Sequence, residues 1–200
     1  MCTFAKTQLM VLPIRAYGDP VLRVKAKDVS RDEPGLQEFI DKMLATMEGA
    51  SGVGLAAPQV GVSWRIFIVD TSGFIEPGEK DPEGLGDFRE VFINAQMVNR
   101  GEEAELFNEG CLSIPDVRGD VERPTTITIR YRNRDWEEKE RSFDGLKARV
   151  IQHEYDHIEG ILFTDHLAPL RKSMVKKRLQ NIAQGKIKVA YPMKFPQSKR

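Results

Sequence analysis

The stretch Gln152-His153-Glu154-Tyr155-Asp156-His157 constrains this chain more than any other, because it contains H-E-x-x-H. In an α-helix, residues i and i+4 stand one above the other on the same face. His153 and His157 can therefore offer two ring nitrogens to one metal ion. Glu154 adjoins the first histidine, so its carboxylate can reach a water held on that ion. Two ligands and a general base on one helix make the arrangement of a metallohydrolase. A pattern this short also arises by chance on solvated helices, so other segments have to support it.

Length and composition set the bounds. The 200 residues suit a single domain, 1–200, large enough to bury a core. The 30 Lys and Arg balance 30 Asp and Glu, which argues against a polyelectrolyte binder and against DNA as a partner. No run approaches the roughly 18 apolar residues of a membrane span. The start, Met1-Cys2-Thr3-Phe4-Ala5-Lys6, lacks a long apolar region of the secretory kind. The two cysteines, Cys2 and Cys111, do not suggest a disulfide framework. A reducing, cytoplasmic location is the expectation.

Periodicity gives the elements. Leu36, Phe39, Ile40, Met43, Leu44 and Met47 form a helical stripe introduced by Pro34-Gly35. Trp64 to Val69 reads as a buried strand and Glu90 to Val98 as a second, with Glu102 to Phe107 expected to pair with it. Thr71 to Phe88 reads as a surface loop. Val121 to Tyr131 contains the alternating strand Thr126–Tyr131, which returns through an Asn133-Arg134-Asp135 turn to Trp136–Phe143. Asp144 can cap the helix that carries the histidines, and Gly160 suits its C-terminal end. A last helix, Ala168 to Ala183, has Leu170, Met174, Val175, Leu179 and Ile182 as apolar positions. This order predicts an α+β fold: mixed or antiparallel sheets around a central metal-binding helix, with an N-terminal and a C-terminal helix.

A catalytic metal site usually has three protein ligands. The pattern H-E-x-x-H-x-x-G-x-x-H fails here, because Phe163 stands where its third histidine would be. No glutamate follows Glu159, which excludes a downstream glutamate ligand. Asp165 and His166 stay open, just past the helix end. So does Cys111, in Glu109-Gly110-Cys111-Leu112-Ser113, whose thiolate would suit zinc or ferrous iron.

Three segments together resemble the peptide deformylase family. They are Gly52-Val53-Gly54-Leu55-Ala56-Ala57-Pro58-Gln59, Glu109-Gly110-Cys111-Leu112-Ser113 and Gln152-His153-Glu154-Tyr155-Asp156-His157. They occur in the family's order, and Gly18-Asp19-Pro20-Val21-Leu22-Arg23 is similar to its N-terminal region. The likeness runs from about Met10 through the motif helix.

The resemblance implies hydrolysis of the N-formyl group from the initiator methionine of nascent peptides, releasing formate. It implies that Cys111, His153 and His157 hold one ion per chain, iron(II) (Fe2+), with Zn2+ or another divalent metal as substitute. Glu154 is then the general base, and the Gln59 side chain and Leu112 backbone N–H are the oxyanion donors. Val53, Leu146 and Val150 are expected to wall the methionine pocket, while Gly54 and Gly110 let substrate backbone approach. A metalloendopeptidase and a non-catalytic, metal-stapled module on the ribosome are the rival readings. From Leu167 to Arg200 there are ten Lys or Arg and no Asp or Glu, which suggests weak ribosome binding. Residues 1–9 read as a disordered extension, with Met10 a second candidate start.

Overall fold

The computed structural model describes residues 10–76, 78–81 and 83–196, so the expectation for residues 1–9 lies outside the described residues. In chain order come β1 (Ile14–Arg15), α1 (Leu36–Gly49), β2 (Gly54–Ala56), β3 (Ile66–Asp70) and β4 (Arg89–Arg100). β5 (Ala104–Cys111), β6 (Ile114–Pro124), β7 (Thr126–Arg132) and β8 (Glu138–Asp144) follow. The chain then continues through α2 (Gly145–Glu159), α3 (Phe163–His166), α4 (Pro169–Ala183) and β9 (Met193–Lys194). The fold is α+β with antiparallel sheets, as the element order suggests.

β3 explains the layering. Its run Ile66-Phe67-Ile68-Val69 is buried on both faces, and successive side chains point to opposite sides. Phe67 and Val69 pack with Ala148, Val150, Ile151 and Ile158 of α2. Ile66 and Ile68 pack with Leu36, Ile40, Met43 and Met47 of α1. The sheet, ordered β2-β3-β4-β7-β8, is therefore held between two helices. Phe67 stacks on Phe92 at 4.6 Å between ring centroids, and Phe92 meets Tyr131 at 4.3 Å. Truncating one such core side chain to Ala costs about 2–5 kcal/mol.

The pairing of the middle strands departs from the expectation. The segment from Glu102 does not pair with β4; β5 pairs with β6 in a separate two-stranded hairpin. β4 instead takes β7 as partner, which turns Ile127 and Ile129 into the core. The expected strand Thr126–Tyr131 is found as β7, while Val121–Pro124 before it belongs to β6 in the other sheet; the break falls at Pro124-Thr125, where proline has no N–H to continue a ladder. The 71–88 loop is more compact than expected. Asp81 Oδ1 and Oδ2 each accept a backbone N–H, from Leu85 and Gly86, both at 2.7 Å. Leu85 and Phe88 are buried beneath it.

Two ends of α2 behave differently. Gly160 closes the helix with φ 77, a left-handed conformation that suits glycine. Asp144 occupies the N-cap position, extended as the last residue of β8, and makes no side-chain capping bond. On α4, Val175, Leu179 and Ile182 pack against Ile114, Val117 and Val121 of β6. Leu170 and Met174 do not join them; they are 76% and 66% exposed. A short parallel pairing of β1 with β9 brings the C-terminal segment back to the N-terminal one.

Candidate metal centre and active site

The hairpin β5–β6 and the helix α2 bring the site together. The register of the hairpin shifts after Gly110, so Cys111 pairs with Ile114 and Leu112-Ser113 form the tip. Cys111, just before the tip, faces the histidines of α2. One ligand atom from each of Cys111, His153 and His157 lies within 4.8 Å of the others. Cys111 Sγ stands 3.2 Å from His157 Nε2. The structure thus joins the helix histidines to the upstream cysteine. Neither downstream candidate belongs to this cluster: Asp165 pairs with Arg23, and His166 contacts Asp156 Oδ2 at 2.8 Å.

A thiolate and two imidazoles form a donor set suited to zinc or iron(II). The surroundings also fit a cation. His153 Nδ1 meets Glu109 Oε2 at 2.9 Å, which orients the ring and leaves Nε2 for the ion, as metal-ligating histidines usually require. Glu154 Oε2 is buried without a hydrogen-bond partner among the described residues. Burial pushes the Glu154 carboxyl up to about 7. The two histidines split: burial lowers both, but bonds to Cys111 and Glu109 outweigh it at His153 and raise that ring well above its ordinary value. Burial and then the His153 charge hold His157 well below its own.

Glu109 anchors a buried network that sequence reasoning quoted but gave no role. Its carboxylate accepts from Arg123 at 2.6 and 3.0 Å and from Arg149 at 3.3 Å. Arg123 also donates to Asp156 at 2.7 Å. Burial raises the Glu109 carboxyl, but the hydrogen bonds from His153 and Arg123 prevail and hold it well below the usual carboxylate range. Nothing in the spacing of Arg123 marks it in advance, since it reaches the site only through the hairpin pairing.

The remaining expected residues fall around a cavity of about 560 Å³. Val53, Gly54, Gln59, Gly110, Leu112 and Val150 line it, together with Cys111, His153 and Glu154. Leu146 does not; it stands one helical turn further from the cavity, beside Lys147 near the start of α2. Phe74, Phe107 and Tyr191 line it instead, and no local pattern points to them. Gln59 is buried, with Oε1 accepting the Ala56 N–H at 2.7 Å. Its Nε2 is 3.3 Å from Ser113 Oγ and 3.5 Å from Cys111 Sγ. The amide is thus aimed at the ligand cluster. Gly54 has a more specific reason to be glycine than an open approach: a Cβ there would overlap the Glu154 carboxylate. A Cβ at Gly110 would come within 3.2 Å of Arg118 Nη1.

Comparison with known proteins decides the relationship. The family model for polypeptide deformylase matches residues 11–173. The chain belongs to the polypeptide deformylase family. It is 54% identical to the peptide deformylase of Christiangramia forsetii over 194 residues, covering 96% of this chain and 99% of that protein. The Flavobacterium johnsoniae peptide deformylase is 51% identical over the same shares of the two chains. The crystal structure of a peptide deformylase from Legionella pneumophila superposes with a TM-score of 0.75 at 34% identity, covering 88% of this chain and 98% of that one. The family's fold, mixed α and β with antiparallel sheets, is the fold seen here.

Proposed function

We propose that the cavity above α2 is where this chain carries out the reaction of its family, with Cys111, His153 and His157 as metal ligands and Glu154 as base. The chain is a hydrolase that removes the N-formyl group from nascent peptides. Family membership supports this reading over an endopeptidase or a non-catalytic module. The observation that carries the residue assignment is the cluster itself: three soft or borderline donors beside a buried, unpartnered carboxylate at the wall of a cavity.

The chain's own groups divide the work. When bound, the metal supplies Lewis acidity, polarising the formyl oxygen and acidifying water. Glu154 Oε2 takes a proton from the attacking water and passes it to the departing amine nitrogen. The products are formate and a free amino terminus. Gln59 Nε2 and the Leu112 N–H donate to the developing oxyanion. Glu109 holds the His153 ring through Nδ1. Val53 and Val150 offer apolar wall to the methionine side chain, while Gly54 and Gly110 keep the walls free of side chains.

Iron(II) is the ion assigned to the site, with zinc or another divalent metal as substitute, one per chain. We assign a cytoplasmic location and a single catalytic domain over 1–200. No described helix is long and apolar enough to cross a membrane. The basic C-terminal region is assigned to weak, salt-sensitive ribosome docking. Its cations are not all free for that role: Arg178 pairs with Asp116 at 2.7 Å, and Lys172 donates to the Asp165 carbonyl at 2.7 Å. Lys176 and Lys177 are exposed on α4 and are the better test. Reversing both charges should weaken ribosome binding at low salt and flatten its salt dependence by about 1 unit of slope per lost phosphate contact. Unchanged binding would remove the docking assignment. For the reaction itself, the test is anaerobic formate release from a formyl-Met tripeptide, with Glu154→Gln as control. The control should keep its metal and lose turnover.

A further inference from the structure

The segment after α4 delivers a residue to the site that none of the motifs includes. Tyr191 lines the cavity, and its hydroxyl donates to the carbonyl oxygen of Leu112 at 2.7 Å. The chain turns back after α4 at Gly185, where φ is 68. The Phe195 ring packs against that glycine; a Cβ there would stand 3.3 Å from Phe195 Cγ. Directly after Tyr191, Pro192 O accepts the Ile14 N–H and Lys194 O accepts the Ala16 N–H, both at 2.9 Å. Met193–Lys194 pair with Ile14–Arg15. Tyr191 is therefore held by backbone bonds on its C-terminal side, and its hydroxyl is a fixed donor.

That donor completes a set of three holds on the hairpin tip. The Tyr17 N–H donates to the Ser113 carbonyl at 2.8 Å. Gln59 Nε2 lies 3.3 Å from Ser113 Oγ. The Tyr191 hydroxyl holds the Leu112 carbonyl. A peptide plane in a two-residue tip can rotate about its flanking bonds unless its carbonyl is bound. Holding the Leu112 carbonyl fixes the Leu112–Ser113 peptide plane; with Cys111 paired to Ile114 on the other side, the intervening plane that carries the Leu112 N–H has little room to rotate. The family model ends at residue 173, so this hold comes from outside the matched segment.

We propose that Tyr191 is a positioning residue for deformylation, clamping the Leu112 carbonyl so that the Leu112 N–H stays directed at the oxyanion. The inference rests on the deformylase reading. It assigns the C-terminal segment a part in turnover, apart from docking.

Tyr191→Phe tests it in the full, metal-loaded chain, keeping the ring and removing the hydroxyl. Loss of one hydrogen bond between neutral groups should lower kcat by about three- to tenfold, with KM within about twofold of the parent. Amide exchange at Leu112 should speed up by a similar factor, with metal content and Tm close to the parent. Tyr191→Leu, which also removes the ring, should lower both kcat and Tm. An unchanged kcat in Tyr191→Phe would overturn the proposal. So would a loss that tracks lowered metal content or Tm, since that marks a purely structural role. Absence of formate release by the parent would instead defeat the deformylase reading. The Leu112 exchange rate would still report whether the clamp exists.

Discussion

Gly54→Ala is the substitution whose consequence follows most directly from the packing. Gly54 lies in β2 without left-handed backbone, so alanine adds no conformational strain. Its Cβ, however, would stand 2.8 Å from both Cγ and Cδ of Glu154, and nearer still to Oε1. Carbon atoms in contact prefer about 3.5–4.0 Å, so the Glu154 side chain has to move by roughly 0.7 Å or more. A shift near 1 Å in a catalytic group costs about 100-fold in rate, or about 2.7 kcal/mol of barrier. The overlap should also lower stability by about 1–3 kcal/mol, as overpacking does. The three atoms nearest the new methyl all belong to Glu154 and none to the proposed ligands Cys111, His153 and His157, so bound metal should match the parent. Steady-state formate release under saturating formyl-Met tripeptide reads kcat, with metal content measured on the same sample. A raised KM with unchanged kcat would refute this reasoning and leave Gly54 as a residue that only makes room for substrate.

Other substitutions separate the remaining roles. If Gln59 is the oxyanion donor proposed above, Gln59→Leu should cost about 10²–10³ in kcat with metal retained. Glu109→Gln leaves Arg149 without its buried counter-charge and Arg123 with Asp156 alone, and should destabilise the fold by about 3 kcal/mol in urea titration. The same change should weaken metal binding by about 10–100-fold through the loss of orientation at His153. Glu154 must be ionised to act, and burial sets it at about 7 while a bound cation opposes that. The acid limb of kcat/KM should therefore fall at or below pH about 7. Glu109 and Asp156 both have carboxyls depressed in the folded state. Their contribution to stability is full above the unfolded carboxylate range of about 4, and is lost as pH falls below it. The urea midpoint at fixed metal-free conditions should decline below that pH, and less so in Glu109→Gln.

Much of this site could be read from the chain because its chemistry is local. His153 and His157 share a face by helical spacing alone, and the Cys111 motif carries its own glycine. The buried strand β3 announced itself by four consecutive apolar residues. Partner choice was less legible. Period-2 alternation sets which face a strand buries but not which strand it joins, so the β5–β6 pairing was misread. The same limit hid Arg123, which meets Glu109 only across that hairpin. Leu146 had helical spacing with Val150 in its favour, yet Val150 lines the cavity and Leu146 does not. Tyr191 joins Leu112 across 79 positions of sequence, and a lone tyrosine near a basic tail carries no signal of it. On α4 the apolar pattern placed Val175, Leu179 and Ile182 inward but gave no means to exclude Leu170 and Met174.

The central claim is that Cys111, His153 and His157 hold one divalent ion beside Glu154 and that this centre hydrolyses a formamide. The most direct measurement is anaerobic turnover of a formyl-Met tripeptide with formate, free amino termini and bound metal quantified together. The proposed centre should give formate and amino termini in equal amounts, and about one ion per chain that is lost in Cys111→Ala. Cleavage at an internal peptide bond without formate, or full turnover by metal-free Cys111→Ala, would contradict it.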